Sequence, residues 1–153
     1  MIVTRGHVQQ WLDRYVDAWR TYDPEAIGDL FAENATYRYH PYDPEAVTGR
    51  AAIVRDWTDP SEDASSRDDP DSWTAHYEPY AVDGDRAVAI GESRYTNPDG
   101  SLRDLYFNLW TLRFDDDGRC VEFVEYFMEL PERLKSSKLS GDLDRVNVAQ
   151  TGR

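Results

Sequence analysis

From Val8 the apolar positions Val8, Leu12, Tyr15, Val16 and Trp19 recur at spacings of four, three, one and three, which lines them along one face of a helix. Asp23-Pro24-Glu25 then reads as an N-cap followed by proline at the first helical position, where its missing N–H costs nothing. Ile27, Leu30 and Phe31 give this second, short helix its buried stripe. Ala35 to Tyr39 alternates and is rich in aromatics, so it predicts a strand, stopped at His40-Pro41 because proline cannot donate to a ladder. Beyond the turn residues Thr48-Gly49, the positions Ile53, Val54 and Trp57 mark a third helix ending near Asp59-Pro60. Ser61 to Asp71 has almost no apolar residue and several acids, the composition of a solvent-exposed loop.

Four period-two segments follow: Ser72 to Val82, Arg86 to Thr96, Arg103 to Phe114 and Arg119 to Glu129. Asp83-Gly84-Asp85, Asn97-Pro98-Asp99-Gly100 and Asp115-Asp116-Asp117-Gly118 join them, the glycine-bearing connections of antiparallel neighbours. The pattern predicts one α+β domain over residues 1–130, with three helices from the N-terminal half packed on one face of a curved antiparallel sheet. Residues 131–153 read as a polar C-terminal tail with a helical turn or two.

Composition narrows the chemistry. The 153 residues include 17 Lys and Arg against 30 Asp and Glu, a net charge of −13, while 40 % hydrophobic and 13 % aromatic content supplies one core. Such acidity offers no basic face for nucleic acid or an anionic membrane. Cys120 is the sole cysteine, and His7, His40 and His76 are scattered, so no disulfide, metal site or cofactor is expected. Asp115 to Gly118 lacks the twelve-residue ligand spacing of a calcium loop. The start of the chain has no apolar run of signal-peptide or membrane-span length, and the expectation is a cytoplasmic protein.

The stretch from Arg14 to Thr36, with Arg14-Tyr15-Val16-Asp17-Ala18-Trp19 and Asp23-Pro24-Glu25-Ala26-Ile27, resembles the opening of the nuclear transport factor 2-like superfamily in its SnoaL-like, ketosteroid-isomerase-like branch. Thr48-Gly49-Arg50-Ala51-Ala52-Ile53 and Leu112-Arg113-Phe114-Asp115-Asp116-Asp117-Gly118-Arg119 continue the likeness, which spans about residues 8 to 130. The resemblance implies a cone-shaped sheet wrapped around the helices, with an apolar pocket between them. It does not select an activity, because the superfamily includes isomerases, dehydratases, epoxide hydrolases, polyketide cyclases and binders without chemistry. Ketosteroid isomerases hold an oxyanion with a tyrosine and a protonated aspartate and move a proton with another aspartate. Carried over through Arg14-Tyr15, that tyrosine falls on Tyr15. The base falls on Tyr39, or on His40 if the strand holds one extra residue, and the protonated aspartate falls on Trp110. Two of the three groups are missing, so steroid isomerisation by that mechanism is not expected.

Strand parity then extends the candidate site. If Trp110 faces inward, so do Asn108, Tyr106 and Asp104, and on the last strand Val121, Phe123, Glu125 and Phe127. Glu125 among these aromatics would be desolvated and therefore fit to give or take a proton, unless hydrogen bonds make it purely structural. The candidate catalytic residues are Glu125, His40, Tyr15 and Asn108, the last as a neutral group orienting a carbonyl or water. The candidate binding residues are Tyr39, Tyr37, Trp57, Tyr106, Trp110, Phe123 and Phe127. Parity turns Cys120 away from the pocket. Three functions fit this pattern: a cofactor-independent lyase, isomerase, hydrolase or cyclase on an apolar oxygenated compound of polyketide, terpenoid or steroid-like type; a hydrophobic-ligand binder without chemistry; or a dimeric interaction module with a vestigial pocket. The opposite parity gathers Leu105, Phe107, Leu109, Val124, Tyr126 and Met128 into an apolar outer face, which predicts a homodimer through the sheet.

Overall fold

In the computed structural model, which describes residues 2–59 and 69–135, the chain begins with a helix held at both ends. Helix α1 (Arg5–Thr21) starts where the Thr4 hydroxyl accepts the His7 N–H at 3.1 Å, and ends at Tyr22, whose left-handed backbone returns its N–H to Ala18 O at 2.8 Å. Helix α2 (Pro24–Leu30) is capped by the Asp23 carboxylate, which accepts from Glu25 N and Ala26 N, with proline at its first position as the sequence predicts.

Phe31 is not part of the α2 stripe. It takes extended geometry (φ −117°, ψ 144°) and opens strand β1 (Phe31–Arg38), so the strand starts four residues before the expected Ala35 and ends one before Tyr39. Helix and strand are joined without a loop. Phe31 stays buried across that junction, which is why a helical stripe and a strand start look alike there. A two-residue strand, β2 (Val47–Thr48), was not foreseen and precedes α3 (Arg50–Thr58). Strands β3 (Trp73–Asp83), β4 (Arg86–Thr96), β5 (Leu102–Phe114) and β6 (Cys120–Glu129) follow the predicted segments to within a residue, and a single turn, α4 (Glu132–Lys135), comes last. The loop expected over Ser61 to Asp71 lies outside the described residues through 68, and so does the tail from 136 onward.

The six strands form one curved sheet in the order β2-β1-β6-β5-β4-β3, antiparallel except where β1 runs parallel to β6. Helix α1 packs against its inner face. Trp11, Leu12, Ile27, Leu30, Phe31, Phe114 and Phe123 are fully buried there, and each such side chain stabilises the fold by roughly 1.5–3 kcal/mol. Gly91 permits one further approach. A Cβ at this position would stand 2.2 Å from His76 O and 2.3 Å from the Tyr77 ring, so only glycine lets Tyr77 lie across β4 toward the interior.

Cys120 does not reach the pocket, but it is buried in the core rather than turned outward. A register shift between Arg113 and Phe114 sets Cys120 opposite Phe114, and burial pushes its thiol up to about 12, which leaves it inert.

Candidate active site

The second half of α1 presents Tyr15 and Trp19 to the sheet one turn apart, and Tyr22 follows at the helix end. With α3 and strands β1, β3, β4, β5 and β6 they enclose a cavity of about 510 Å³. Its floor comes from β5 and β6. Trp110 stands directly opposite Glu125, and Asn108 opposite Phe127, so these four side chains share the inner face as the parity argument requires.

Burial pushes the Glu125 carboxyl up to about 7. The Trp110 indole N–H is near enough to pull that value back, yet it makes no hydrogen bond of ordinary geometry. Both groups therefore stay available to a ligand. On one side of them the hydroxyls of Tyr15 and Tyr37 meet at 2.6 Å. Burial raises both phenols well above the ordinary tyrosine range, and the Glu125 charge adds to the rise. Neither phenol is a proton donor of useful strength near neutral pH. Because one hydroxyl donates to the other, a single phenolic proton is left to point at a ligand oxygen.

On the other side Asn108 Nδ2 donates to Tyr77 Oη at 2.6 Å, and that hydroxyl meets Ser93 Oγ at 2.7 Å. The amide is thereby fixed, and its Oδ1 is buried without a partner among the described residues. Tyr77 stacks on Trp110 at 3.8 Å between ring centroids, while Tyr15 lies 4.6 Å from Trp110 and 5.0 Å from Trp57. The Trp57 indole N–H is buried and unpartnered too.

Of the residues singled out in the sequence, Glu125, Tyr15, Asn108, Tyr37, Tyr39, Trp57, Tyr106, Trp110 and Phe127 all line this cavity. His40 does not. Its Nε2 pairs with Asp43 at 2.9 Å in the turn after β1 and its Nδ1 accepts the Tyr42 N–H, so the proline-bounded strand end faces away from the pocket. Phe123 is fully buried behind the wall, stacked on Tyr37 at 4.3 Å and on Tyr15 at 5.5 Å, and supports those rings instead of touching a ligand. Asp104 binds Lys135 Nζ at 3.0 Å, outside the cavity. His76 is exposed.

Seven lining residues escaped the sequence reading. Trp19 and Tyr22 continue the Tyr15 stripe at helical spacing, and Ser93 and Tyr95 continue the period-two pattern of β4, so these were legible. Tyr77 was hidden by its dependence on Gly91 across the strand pair. Asp56 and Asp59 flank Trp57 at the mouth, where the Tyr39 hydroxyl donates to Asp56.

Fold and site together define a small mixed α+β domain whose curved sheet and N-terminal helices enclose one aromatic-walled pocket with an acid at its base. The sequence model of the SnoaL-like domain matches residues 12–123, and the chain belongs to that family. No curated protein matches it significantly. Among solved structures it is similar to a ketosteroid isomerase-like protein from Kribbella flavida DSM 17836, with 20 % identity over 84 % of this chain and 82 % of that one and a TM-score of 0.58. It is similar also to the epoxide hydrolase/cyclase-like enzyme SalBIII of pyran ring formation in salinomycin (17 %, 78 % and 88 %, 0.56). A third is an NTF2-like protein of unknown function from Cytophaga hutchinsonii ATCC 33406 (12 %, 78 % and 98 %, 0.53). At these identities the likeness is one of fold.

Proposed function

We propose that this protein is a cofactor-independent acid–base enzyme of lyase, isomerase, hydrolase or cyclase type, acting on an apolar, oxygenated small molecule held in the cavity. One observation supports the reading above others: a single desolvated carboxyl, Glu125, stands at the base of an aromatic pocket with its pKa near the working pH of a cell. Near pH 7 it is present in both forms and can take a proton or return one. The remaining Tyr15–Tyr37 phenolic proton and the Trp57 N–H are donors for a ligand oxygen, and fixed donors of this kind stabilise charge that develops there. The similarity to SalBIII and to the ketosteroid isomerase-like protein agrees with chemistry of this class. Of the expected catalytic set, His40 is withdrawn to Asp43, and the proton transfer falls to Glu125.

The test is a panel of aromatic polyketides, steroids and terpenoid epoxides, read by tryptophan quenching and then by turnover. For a compound that is converted, Glu125→Gln should lower kcat about a hundredfold or more, well beyond its change in KM. Ligands bound and released unchanged by both proteins would instead make the pocket a container, the reading favoured by the locked Tyr77–Ser93–Asn108 triad, which holds its members to one another.

The outer face of the sheet bears on assembly. Phe107, Tyr126 and Met128 are exposed there and Leu109 and Val124 half-buried, while Leu105 is covered, its carbonyl accepting the Leu130 N–H. The reading includes a homodimer through this face. Light scattering that gives a 17.7 kDa species at micromolar concentration would remove it.

A further inference from the structure

The cavity wall is lopsided in charge. Among the described residues its lining includes Glu125, Asp56 and Asp59 but no arginine, lysine or histidine, and nearly all the rest is aromatic. The chain around it has a net charge of −13. Ring faces attract a cation through their quadrupole, and a low-dielectric pocket bounded by carboxylates deepens the same potential. A carboxylate or phosphate ligand would meet no counter-charge among the described lining residues. Of the buried polar atoms without partners that line it, the Trp57 and Trp110 N–H groups are donors suited to a ligand oxygen, while Asn108 Oδ1 is an acceptor and Glu125, when ionised, offers two more acceptor oxygens. In the register of β5 and β6, Glu125 and Asn108 are diagonal neighbours on one face, with backbones roughly 7–8 Å apart.

We propose that the cavity selects a protonated amine, whose ammonium group sits between the Glu125 carboxylate and Asn108 Oδ1 and whose apolar body lies on the rings of Tyr15, Tyr77 and Trp110. This deepens the pocket reading above, since it assumes a small-molecule ligand, but it does not depend on turnover. It also assigns the Trp57 N–H to an oxygen on the ligand body, so the substrate class becomes an amine-bearing, oxygenated aromatic or polycyclic compound. The groups that face the Glu125 carboxyl are Tyr15 from α1, Tyr37 from β1, Tyr77 from β3 and Trp110 from β5, with Tyr39 just past β1 and Asp56 and Asp59 of the α3 end at the mouth. Tyr15, Tyr37 and Tyr77 are all raised above the ordinary tyrosine range. Seating a cation therefore draws its compensating charge from Glu125, which gives up its proton to solvent.

Three probes of one shape separate the possibilities: naphthylethylammonium, naphthylethanol and naphthylacetate, titrated into the full chain by calorimetry and tryptophan quenching. The ammonium should bind about tenfold or more tighter than the alcohol at low salt, with the carboxylate weakest. Below pH 7 ammonium binding should release a fraction of a proton, seen as a dependence of the heat on the buffer, whereas alcohol binding should release none. In Glu125→Gln the ammonium should lose about tenfold while the alcohol stays within about twofold. The release is read on the unaltered chain, so the test does not depend on how well that variant folds. An alcohol that binds as tightly as the ammonium, with no proton release, overturns the cation assignment and leaves the small-molecule pocket standing. If none of the three produces a heat or a quench, the pocket reading fails and the cation assignment with it.

Discussion

The two halves of α1 look onto aromatic clusters of similar density, yet their polar atoms are treated differently. Around the first half, Trp11 packs edge-on against Phe31 and Phe114, and its indole N–H donates to Leu30 O at 2.9 Å. That end is finished. Around the second half, Trp57 and Trp110 keep buried N–H groups and Asn108 a carbonyl oxygen without partners of ordinary geometry among the described residues, and Glu125 is desolvated. A buried polar atom left alone costs about 1–3 kcal/mol, so a fold that tolerates several in one cavity has stability set aside there. The contrast separates a core from a site more sharply than hydrophobicity does, because both ends are equally aromatic.

Substitutions at the finished end should have the largest effect. Trp11→Ala removes the ring that joins α1 to β1 and β5 and should lower stability by about 3–5 kcal/mol, measured by urea unfolding. Gly91→Ala should follow at roughly 2–3 kcal/mol, since its Cβ meets the His76 carbonyl, and it should also displace Tyr77 and shift ligand affinity; unchanged affinity would break the link between this glycine and the cavity.

At the unfinished end the sign reverses. Glu125 has a folded pKa near 7 against an ordinary 4.5, so it holds its proton more tightly folded than unfolded. Its favourable contribution is full below about pH 4.5 and is lost as pH rises through 7, a change of about 3 kcal/mol at most. Glu125→Gln should therefore match the parent protein below pH 5 and exceed it by roughly 1–3 kcal/mol at pH 8, seen as a higher Tm only on the alkaline side. Smallest of all, Tyr37→Phe should cost about 1 kcal/mol through loss of the Tyr15 hydrogen bond.

Much of this division was legible in the sequence. The α1 stripe, the Asp23-Pro24 start of α2 and the turns around Gly84, Gly100 and Gly118 are local signals, and they located the helices and the four long strands. Strand parity from Trp110 brought Asn108, Glu125 and Phe127 to one face because period two survives along regular strands. Where regularity breaks, the reading broke with it. The bulge before Phe114 buried Cys120, the loopless passage from α2 into β1 hid the true start of Phe31, and Asp43, three residues beyond His40, drew that histidine from the site. Tyr77 depends on a glycine fourteen residues away, a pairing that no local pattern encodes.

The acid–base role of Glu125 requires a desolvated carboxyl close to half-ionised near neutral pH. Carboxyl-carbon NMR of isotope-labelled glutamate, with Glu125→Gln to assign the resonance, measures this directly across a pH titration. The predicted result is one glutamate titrating near 7, apart from the others, and moving lower when naphthylethylammonium is bound. A Glu125 resonance that titrates near the ordinary 4.5 would mean that the carboxyl is solvated, and the acid–base role would be contradicted.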